Sequence, residues 1–197
     1  MRKSTLMLVI ILVLGCHKAT EDLPVLSYKI NTNGEEEYYT VTYSNFTNQF
    51  EKDFTTNSIK DKIVVSNFFF TRCPSICPPM RNQLIKLANY LSFTEDVILV
   101  SHTIDPDNDT SEVLKAYAQS TGIEDHKWQF IRSSESNTKL QAAQYMTNFR
   151  PNEDSTDFYH SSFVALLDKK QQIRGFYNIL IQEEVERLKE DIKLLLE

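Results

Sequence analysis

The chain has 197 residues, which is enough for one domain of ordinary size and marginal for two. Its composition, 41% hydrophobic and 24% charged, is that of a globular protein and excludes wholesale disorder. A formal net charge of −6 argues against nucleic acid or an anionic lipid surface as the main partner, and four glycines exclude a glycine-rich phosphate cradle. Three cysteines are too few for a disulfide scaffold in a chain of this length, so their positions matter more than their number.

The first residues have the pattern of a secretory signal. Arg2 and Lys3 precede an apolar run from Leu6 to Leu14, and polar residues follow soon after it. The run is too short to span a bilayer as a helix, which takes roughly 20 residues. We therefore expect this segment to direct export and then to be removed.

The apolar run ends in Val13-Leu14-Gly15-Cys16, which resembles the bacterial lipobox, whose cysteine is lipidated after cleavage. The alternative is a conventional signal with a coincidental cysteine. We expect Cys16 to be diacylated and to anchor the protein to a bacterial membrane, facing the periplasm or the cell exterior. The predicted organisation is a signal peptide at 1–15, a lipidated tether at 16–24 and one domain at 25–197.

The predicted domain combines strands and helices. Short β-rich runs predict strands at Val25–Ile30, Tyr38–Tyr43, Ile63–Phe70, Val97–Ile104, Trp128–Ile131, Phe163–Leu167 and Ile173–Tyr177. Apolar residues at helical spacing predict helices after Pro79, after Asp109, over Asn137–Met146 and from about Val185 to Leu195. A turn at Asn31–Gly34 makes a hairpin of the first two strands. This order implies an α/β fold with a partly parallel sheet and helices on both faces.

Two cysteines lie four residues apart, between a predicted buried strand and a helix start. Cys73 and Cys77 follow Phe70 and precede Pro78-Pro79. Ligands bind at this edge of open α/β sheets, and a helix N-terminus stabilises a thiolate, which favours redox exchange and metal ligation. The spacing lets both sulfurs hold one ion and also permits a disulfide. A pair of buried structural thiols is the alternative, whereas a four-ligand zinc site is not expected because no second cysteine pair exists.

A metal site with two sulfurs needs a further ligand, and the chain has four histidines. His17 in the tether and His126 in a polar loop are expected to be solvated. His102, on the second buried strand, is expected to be a hydrogen-bonded core residue and is kept as a reserve ligand because it is near the strand end. His160 stands in a loop with flanking hydroxyl groups directly before a strand. Taken alone, such a histidine is more often a surface-loop residue, but this position would let it swing onto a metal ion.

Three carboxylates follow the second buried strand in Asp105-Pro106-Asp107-Asn108-Asp109. They suggest a metal site, but Asp109 followed three residues later by Glu112 is the pattern of a capping box, which we expect. Asp105 is nearest the strand end and is expected beside the thiols, where its charge would influence them. Arg72 either does the same or is solvated.

The segment 69–80, FFTRCPSICPPM, with Asp105-Pro106, Asp109-Thr110 and His160-Ser161 in order, resembles the Sco/SenC family of copper-binding assembly factors. The similarity extends from about Phe46 to the C-terminus. It implies a thioredoxin-like fold, a central mixed sheet flanked by helices, with N-terminal hairpin additions. It also implies that Cys73, Cys77 and His160 bind copper, and that the protein serves the CuA site of cytochrome c oxidase.

This assignment makes chemical sense, because thiolates suit Cu(I) and imidazole accepts either copper oxidation state. Three ligands leave the ion undercoordinated, so that the ligands of an acceptor displace them stepwise. We therefore expect a membrane-anchored copper chaperone that is not a turnover enzyme, with the oxidase subunit that carries CuA as its partner. The alternative is an extracytoplasmic thiol–disulfide oxidoreductase that uses Cys73 and Cys77 alone. A thiol peroxidase is less favoured, since nothing singles out one peroxidatic thiol.

One turn departs from the family pattern. Gln171, in the turn Asp168–Gln172, stands where relatives commonly have glycine, which adopts a positive φ easily. The resemblance therefore leaves the geometry of this turn open.

Overall fold

The structure, a computed structural model, describes residues 22–153, 158, 159 and 161–197. Its strands are β1 (Tyr28–Ile30), β2 (Glu36–Tyr38), β3 (Phe46–Asn48), β4 (Asp53–Phe54), β5 (Ile63–Phe69), β6 (Val97–Thr103), β7 (Trp128–Arg132), β8 (Arg150–Pro151), β9 (Phe158–Tyr159), β10 (Phe163–Leu167) and β11 (Ile173–Asn178). Its α-helices are α1 (Cys77–Tyr90), α2 (Ser111–Gln119), α3 (Glu135–Gln144) and α4 (Gln182–Leu196), and 3-10 helices cover Thr56–Ile59 and Leu91–Phe93. The predicted signal peptide, Cys16 and His17 of the tether, and His160 lie outside the described residues.

Seven strands form a mixed sheet in the order β11-β10-β5-β6-β7-β3-β4. The three central strands β5, β6 and β7 are parallel, and the outer strands pair antiparallel. Every residue of β5 and β6 is buried, as expected for parallel strands that are covered on both faces. The predicted mixed sheet flanked by helices is confirmed.

Helices cover both faces of this sheet. Successive side chains of a strand point to opposite faces, so neighbouring residues contact different helices. On one face, the Phe69 ring lies 5.3 Å from the ring of Tyr117 in α2. On the other face, the rings of Phe68 and His102 lie 5.7 and 5.5 Å from that of Tyr145, which follows α3. Neighbouring residues of β5 therefore face two different environments.

The helix α1 begins at the second cysteine of the pair. Pro78 and Pro79 occupy its first turn, where a missing N–H costs no intrahelical hydrogen bond. The residues of α1 that pack on the sheet are spaced three or four apart, and they include Met80, Leu84, Leu87 and Ala88. The prediction of a helix directly after the proline pair is confirmed.

The N-terminal hairpin differs from the prediction in extent and register. The first strand is shorter than the predicted Val25–Ile30, and the second is Glu36–Tyr38, where Tyr38–Tyr43 was predicted. The side chain of Asn31 explains the shift, because it accepts hydrogen bonds from the backbone N–H groups of Asn33 and Glu35 and closes a longer turn. The two strands form a sheet of their own.

The turn in which Gln171 replaces glycine keeps the left-handed conformation, with a φ of +63°. The Gln171 side chain is buried and donates hydrogen bonds from Nε2 to the carbonyl oxygens of Ile59 and Lys62, at 3.2 and 3.1 Å. Asp168 accepts hydrogen bonds from two backbone N–H groups of the turn. These contacts offset the cost of a positive φ in a residue with a Cβ atom.

Candidate metal and thiol site

The two cysteines lie where β5 gives way to α1, and both are reduced and buried, at 5% and 4% exposure for Cys73 and Cys77. The backbone N–H of Cys77 donates a hydrogen bond to Cys73 Sγ at 3.4 Å. The hydroxyl of Ser75 lies 3.7 Å from the same sulfur. The first sulfur therefore sits at the amino end of α1, as the spacing predicted.

Hydrogen bonding favours ionisation of Cys73. Burial by itself raises the pKa of this thiol, but hydrogen bonds from the backbone and side chains of Cys77 and Ser75 outweigh it, so that the pKa lies below its ordinary value of 9.0. The thiolate is both the nucleophile in disulfide exchange and the form that ligates metals. The local geometry therefore prepares Cys73 for either chemistry.

A buried carboxylate fixes the start of the cysteine loop. Asp109 accepts hydrogen bonds from the Thr71 backbone N–H, at 3.2 Å to Oδ2, and from the hydroxyls of Thr71 and Thr103. Burial raises the pKa of Asp109, and these hydrogen bonds oppose the rise. The carboxylate joins the ends of two adjacent parallel strands two residues before Cys73.

The predicted capping role of Asp109 is wrong. The N-cap of α2 is Thr110, whose Oγ1 accepts a hydrogen bond from the Val113 backbone N–H at 3.4 Å and donates one to Glu112 at 2.8 Å. The Asp109 side chain turns inward, because Thr71 and Thr103 offer it three donors in the interior. The sequence does contain a sign of this inward role: a threonine stands at or just after the end of each of the two neighbouring buried strands, where its hydroxyl can donate to Asp109.

Asp105 pairs with the residue that precedes Cys73. Arg72 Nη2 lies 2.7 Å from Asp105 Oδ2, and its Nε lies 3.2 Å from the same oxygen. Asn108 donates a hydrogen bond to Asp105 Oδ1 at 2.8 Å. Arg72 is therefore ion-paired although its side chain is half exposed, and Asp105 is nearly buried beneath it.

The predicted core role of His102 is confirmed. Its Nδ1 lies 3.1 Å from the carbonyl oxygen of Asn67 and therefore carries a proton, because a carbonyl only accepts. The ring is fully buried and stacks on Phe68, with centroids 4.6 Å apart. Phe69 and Cys77 line one cavity on the opposite face of the sheet. His102 therefore points away from the thiols, which removes its reserve role as a ligand.

Of the other three histidines, the structure describes His126. His126 is half exposed and lies 3.3 Å from the carboxylates of Glu95 and Glu124, as expected for a solvated loop residue. For His160, only its neighbours are described. The ring of Phe158 lies 5.1 Å from that of Phe70, three residues before Cys73, so the chain just before His160 packs at the same strand end.

A groove of about 430 Å³ opens beside the two sulfurs. Its lining includes Cys73, Cys77, Arg81, Tyr117 and Ser120.

Within residues 22–153, 158, 159 and 161–197, no group of three or more His, Cys, Asp or Glu side chains is arranged to hold a metal ion. In those ranges no helix is both long and apolar enough to cross a bilayer.

Three solved structures share this fold. A crystal structure of a SCO1/SenC family lipoprotein from Bacillus anthracis str. Ames is 27% identical, with a TM-score of 0.75, and the match covers 88% of this chain and 98% of that one. BsSco, described as a member of the Sco family of cytochrome c oxidase assembly proteins with a disulfide switch, is 25% identical over 87% and 95% of the two chains, with a TM-score of 0.69. Yeast Sco1 with copper bound, 22% identical over 79% and 87% of the two chains, has a TM-score of 0.62 and agrees in fold.

The sequence comparisons point the same way. The SCO1 protein homolog of Bacillus subtilis strain 168 is 33% identical over 94 residues, which is 47% of this chain and 49% of that protein. The match thus spans about half the length of that relative. The family model described as SCO1/SenC matches residues 32–197, which include the cysteine loop and the helix after it. The chain belongs to the SCO1/SenC family.

Proposed function

We propose that this protein is an exported, membrane-anchored copper chaperone that binds one copper ion through Cys73, Cys77 and His160. The ion would be delivered to the CuA site of cytochrome c oxidase. The observation that carries the proposal is the pair of buried, reduced thiols at the start of α1, with the Cys77 N–H donating to Cys73 Sγ. Membership of the SCO1/SenC family supports it, since yeast Sco1 is described with copper bound and BsSco as one of a family of oxidase assembly proteins.

The donor set fits copper as a cargo. Two thiolates provide soft ligands for Cu(I), and the lowered pKa of Cys73 favours its thiolate form. His160 is the proposed third ligand, and the packing of Phe158 on Phe70 supports its position near the thiols. Three ligands leave coordination positions for the donors of an acceptor, which suits transfer better than storage.

The proposed membrane attachment depends on Cys16. The sequence VLGC at its cleavage site is the main support, and the similar Bacillus anthracis protein is described as a lipoprotein. Removal of residues 1–15 takes away Arg2 and Lys3 and leaves a net charge of 19 minus 27, or −8, so the anchor would be the lipid and not charge. Mass spectrometry of the membrane fraction tests this: a diacylglyceryl adduct on Cys16 is expected, and a mature chain without one would contradict it.

Titration of the reduced protein with Cu(I) under anaerobic conditions tests the metal site. We expect one copper per chain, weaker binding by His160→Ala, and loss of tight binding by Cys73→Ser and by Cys77→Ser. The matched control is His126→Ala, because His126 is a half-exposed histidine that lies beside the carboxylates of Glu95 and Glu124. If Cys73→Ser and His160→Ala both bind copper as tightly as the wild type, the ligand assignment is wrong.

A second candidate function is reduction of disulfides in a partner protein, favoured by the hydrogen bonds that lower the pKa of Cys73. Here the Cys73 and Cys77 thiols would be oxidised to one disulfide while the partner's disulfide is reduced to two thiols. This reaction does not need His160. It is excluded if the thiol pair fails to cycle with a dithiol partner while copper transfer persists.

A further inference from the structure

Arg81 lines the same groove as both cysteines and stands one helical turn after Cys77 on α1. Its guanidinium carbon lies 5.2 Å from the centroid of the Tyr117 ring, and its Nη2 donates a hydrogen bond to Ser120 Oγ at 2.7 Å. Among the described residues, its buried Nε has no hydrogen-bond partner, and its Nη1 makes no hydrogen bond. The side chain is therefore held in place by Tyr117 of α2 and by Ser120, the residue after α2, while Nη1 keeps its donors for a ligand.

In the part of the chain that the structure describes, no carboxylate pairs with Arg81. Arg72, Arg174 and Arg187 each form an ion pair with an aspartate or a glutamate. No carboxylate of the described part of the chain comes within 4 Å of Arg81, although the sequence has 27 acidic residues. Of the groove-lining residues in that part, Arg81 alone is charged. The groove thus holds both thiols and a fixed cation that pairs with no carboxylate of the described residues.

We propose that the groove docks an extended segment of a partner protein that carries a carboxylate side chain near its own cysteines, and that Arg81 binds this carboxylate. The proposal rests on the proposed function, since it names the kind of partner that the thiol site serves. A guanidinium favours a carboxylate, which it can bind through two parallel hydrogen bonds, here from the Nη1 and Nη2 atoms at the end of the Arg81 side chain. The groove volume of about 430 Å³ accommodates several side chains.

The negative net charge of the chain limits the attraction of acidic segments to the immediate surroundings of Arg81. At −8 for the proposed mature chain, 19 basic minus 27 acidic residues, the protein repels acidic partners at long range, so the attraction is confined to the groove and acts once the segment is in contact. A carboxylate bound at Arg81 would set the register of the segment and bring its sulfur atoms to Cys73 and Cys77. Arg81 is therefore a specificity-determining residue, and its loss would remove a preference without removing the thiol chemistry.

Disulfide exchange by the copper-free, reduced protein tests the proposal. The probes are three synthetic peptides, each with one internal disulfide between cysteines four apart, that differ only in a Glu, Gln or Lys next to one cysteine. In each reaction the protein loses two electrons and two protons and forms the Cys73–Cys77 disulfide, while the peptide disulfide becomes two thiols. We expect the wild type to reduce the Glu peptide about fivefold faster than the Gln peptide, the size of one good charge-assisted contact.

The variants separate recognition from reactivity. Arg81→Gln is expected to reduce the Glu and Gln peptides at equal rates, and Arg81→Glu to prefer the Lys peptide. The ratio of rates cancels any change in the intrinsic reactivity of the thiols. Lys86→Gln is the matched control, because it removes the same charge from an exposed site on α1 that does not line the groove, and it should keep the wild-type ratio. If Arg81→Gln does not fold, Arg81→Lys keeps the charge without the fork and should give an intermediate ratio.

Two results would overturn the proposal: a wild type that does not distinguish the Glu and Gln peptides, or an Arg81→Gln variant that still does. The rate at which the protein reduces glutathione disulfide is a further test. If Arg81→Gln slows this reaction as much as it slows reduction of the Glu peptide, the groove binds a small anion and the proposal of an extended segment is wrong. Cu(I) titration of the same samples keeps the proposed function separate. If the wild type binds no copper but prefers the Glu peptide, the chaperone proposal fails while the assignment of the groove stands.

Discussion

The two faces of the sheet each bury a titratable group beside the same strand, and they treat it in opposite ways. On one face, hydrogen bonds to Cys73 outweigh its burial and lower its pKa, which favours the charged thiolate. On the other face, burial lowers the pKa of His102 to about 3, against the opposing effect of its hydrogen bond to Asn67, and keeps the ring neutral. The thiol lies beside an open groove, whereas His102 is enclosed by aromatic rings.

The difference shows what distinguishes a site from a core residue in this fold. Burial alone suppresses ionisation, as it does for His102, and a buried group becomes chemically useful when donors stabilise its charged form and a path leads to it. The thiol face has both features. The carboxylate of Asp109, with its hydrogen bonds to Thr71 and Thr103, forms a clamp that holds the start of the cysteine loop, residues 71–77. His102 itself is fully enclosed, and its hydrogen bond to Asn67 does not outweigh its burial, so we assign His102 to stability.

The largest expected effect is loss of the clamp. Asp109→Ala removes the common acceptor of the Thr71 backbone N–H and of the Thr71 and Thr103 hydroxyls, and so leaves two part-buried donors and one buried donor without it. We expect the free energy of unfolding to fall by roughly 3 kcal/mol, measured by urea denaturation. Asp109→Asn retains an acceptor oxygen and should lose less. Equal stability of Asp109→Ala and the wild type would remove the clamp as a distinguishing feature of the thiol face.

The aromatic face predicts a pH dependence of stability. The pKa of His102 is about 3 in the folded protein and near 6.5 when unfolded, so between these values the unfolded state binds more protons and stability falls as the pH falls. The titratable groups that face the ring are the phenols of Tyr43 and Tyr145, whose pKa values are raised, mainly by burial, so that both stay neutral in this range. From pH 6.5 to 5 the loss should be roughly 1.5 kcal/mol.

His102→Phe tests this prediction, because a phenyl ring suits the aromatic surroundings and does not titrate. The variant is expected to lose about 1.5 kcal/mol less than the wild type between pH 6.5 and 5, in urea unfolding at each pH. His126→Phe, at a half-exposed site, serves as the control and should retain the wild-type slope. Parallel slopes for His102→Phe and the wild type would show that burial does not hold His102 neutral.

Much of the frame of this comparison is predictable from sequence. The continuous apolar runs of β5 and β6 and the proline pair after Cys77 predicted the buried strands and the start of α1, because these features are local. The strands β3 and β4 were missed, since three and two residues are too few to show a period of two.

The contacts that define the site were harder to predict because they are not local. Asp109 has the local pattern of a helix cap, and its actual partner Thr71 lies 38 residues away. Arg81 fits the polar side of an amphipathic helix, and nothing near it in sequence indicates the Tyr117 ring and Ser120 hydroxyl that hold it. The role of His160 stays a prediction from the family resemblance.

A smaller effect separates the cap of α2 from the clamp next to it. Thr110→Ala removes the hydroxyl that accepts the Val113 N–H, and we expect a loss of about 1 kcal/mol in the free energy of unfolding, as for other N-caps. Asp109→Ala should lower the free energy of unfolding about three times as much, although the two residues are adjacent. If the two alanine variants reversed this order, Asp109 would act as the cap after all.

The smallest expected effect concerns the ion pair beside Cys73. Arg72 is half exposed, so its pairing with Asp105 is screened by solvent, and Arg72→Gln should lower the free energy of unfolding by at most about 0.5 kcal/mol. The matched control is Lys169→Gln, which removes an exposed ion pair with Asp96 far along the chain from the cysteines and should have an equally small effect on stability.

The two variants should differ in the local order of the cysteine loop, because Arg72 is part of that loop and its partner Asp105 is also held by Asn108. Amide hydrogen exchange should therefore speed up at residues 72–77 in Arg72→Gln alone. Unchanged exchange there would mean that the Asp109 clamp is sufficient to order the loop.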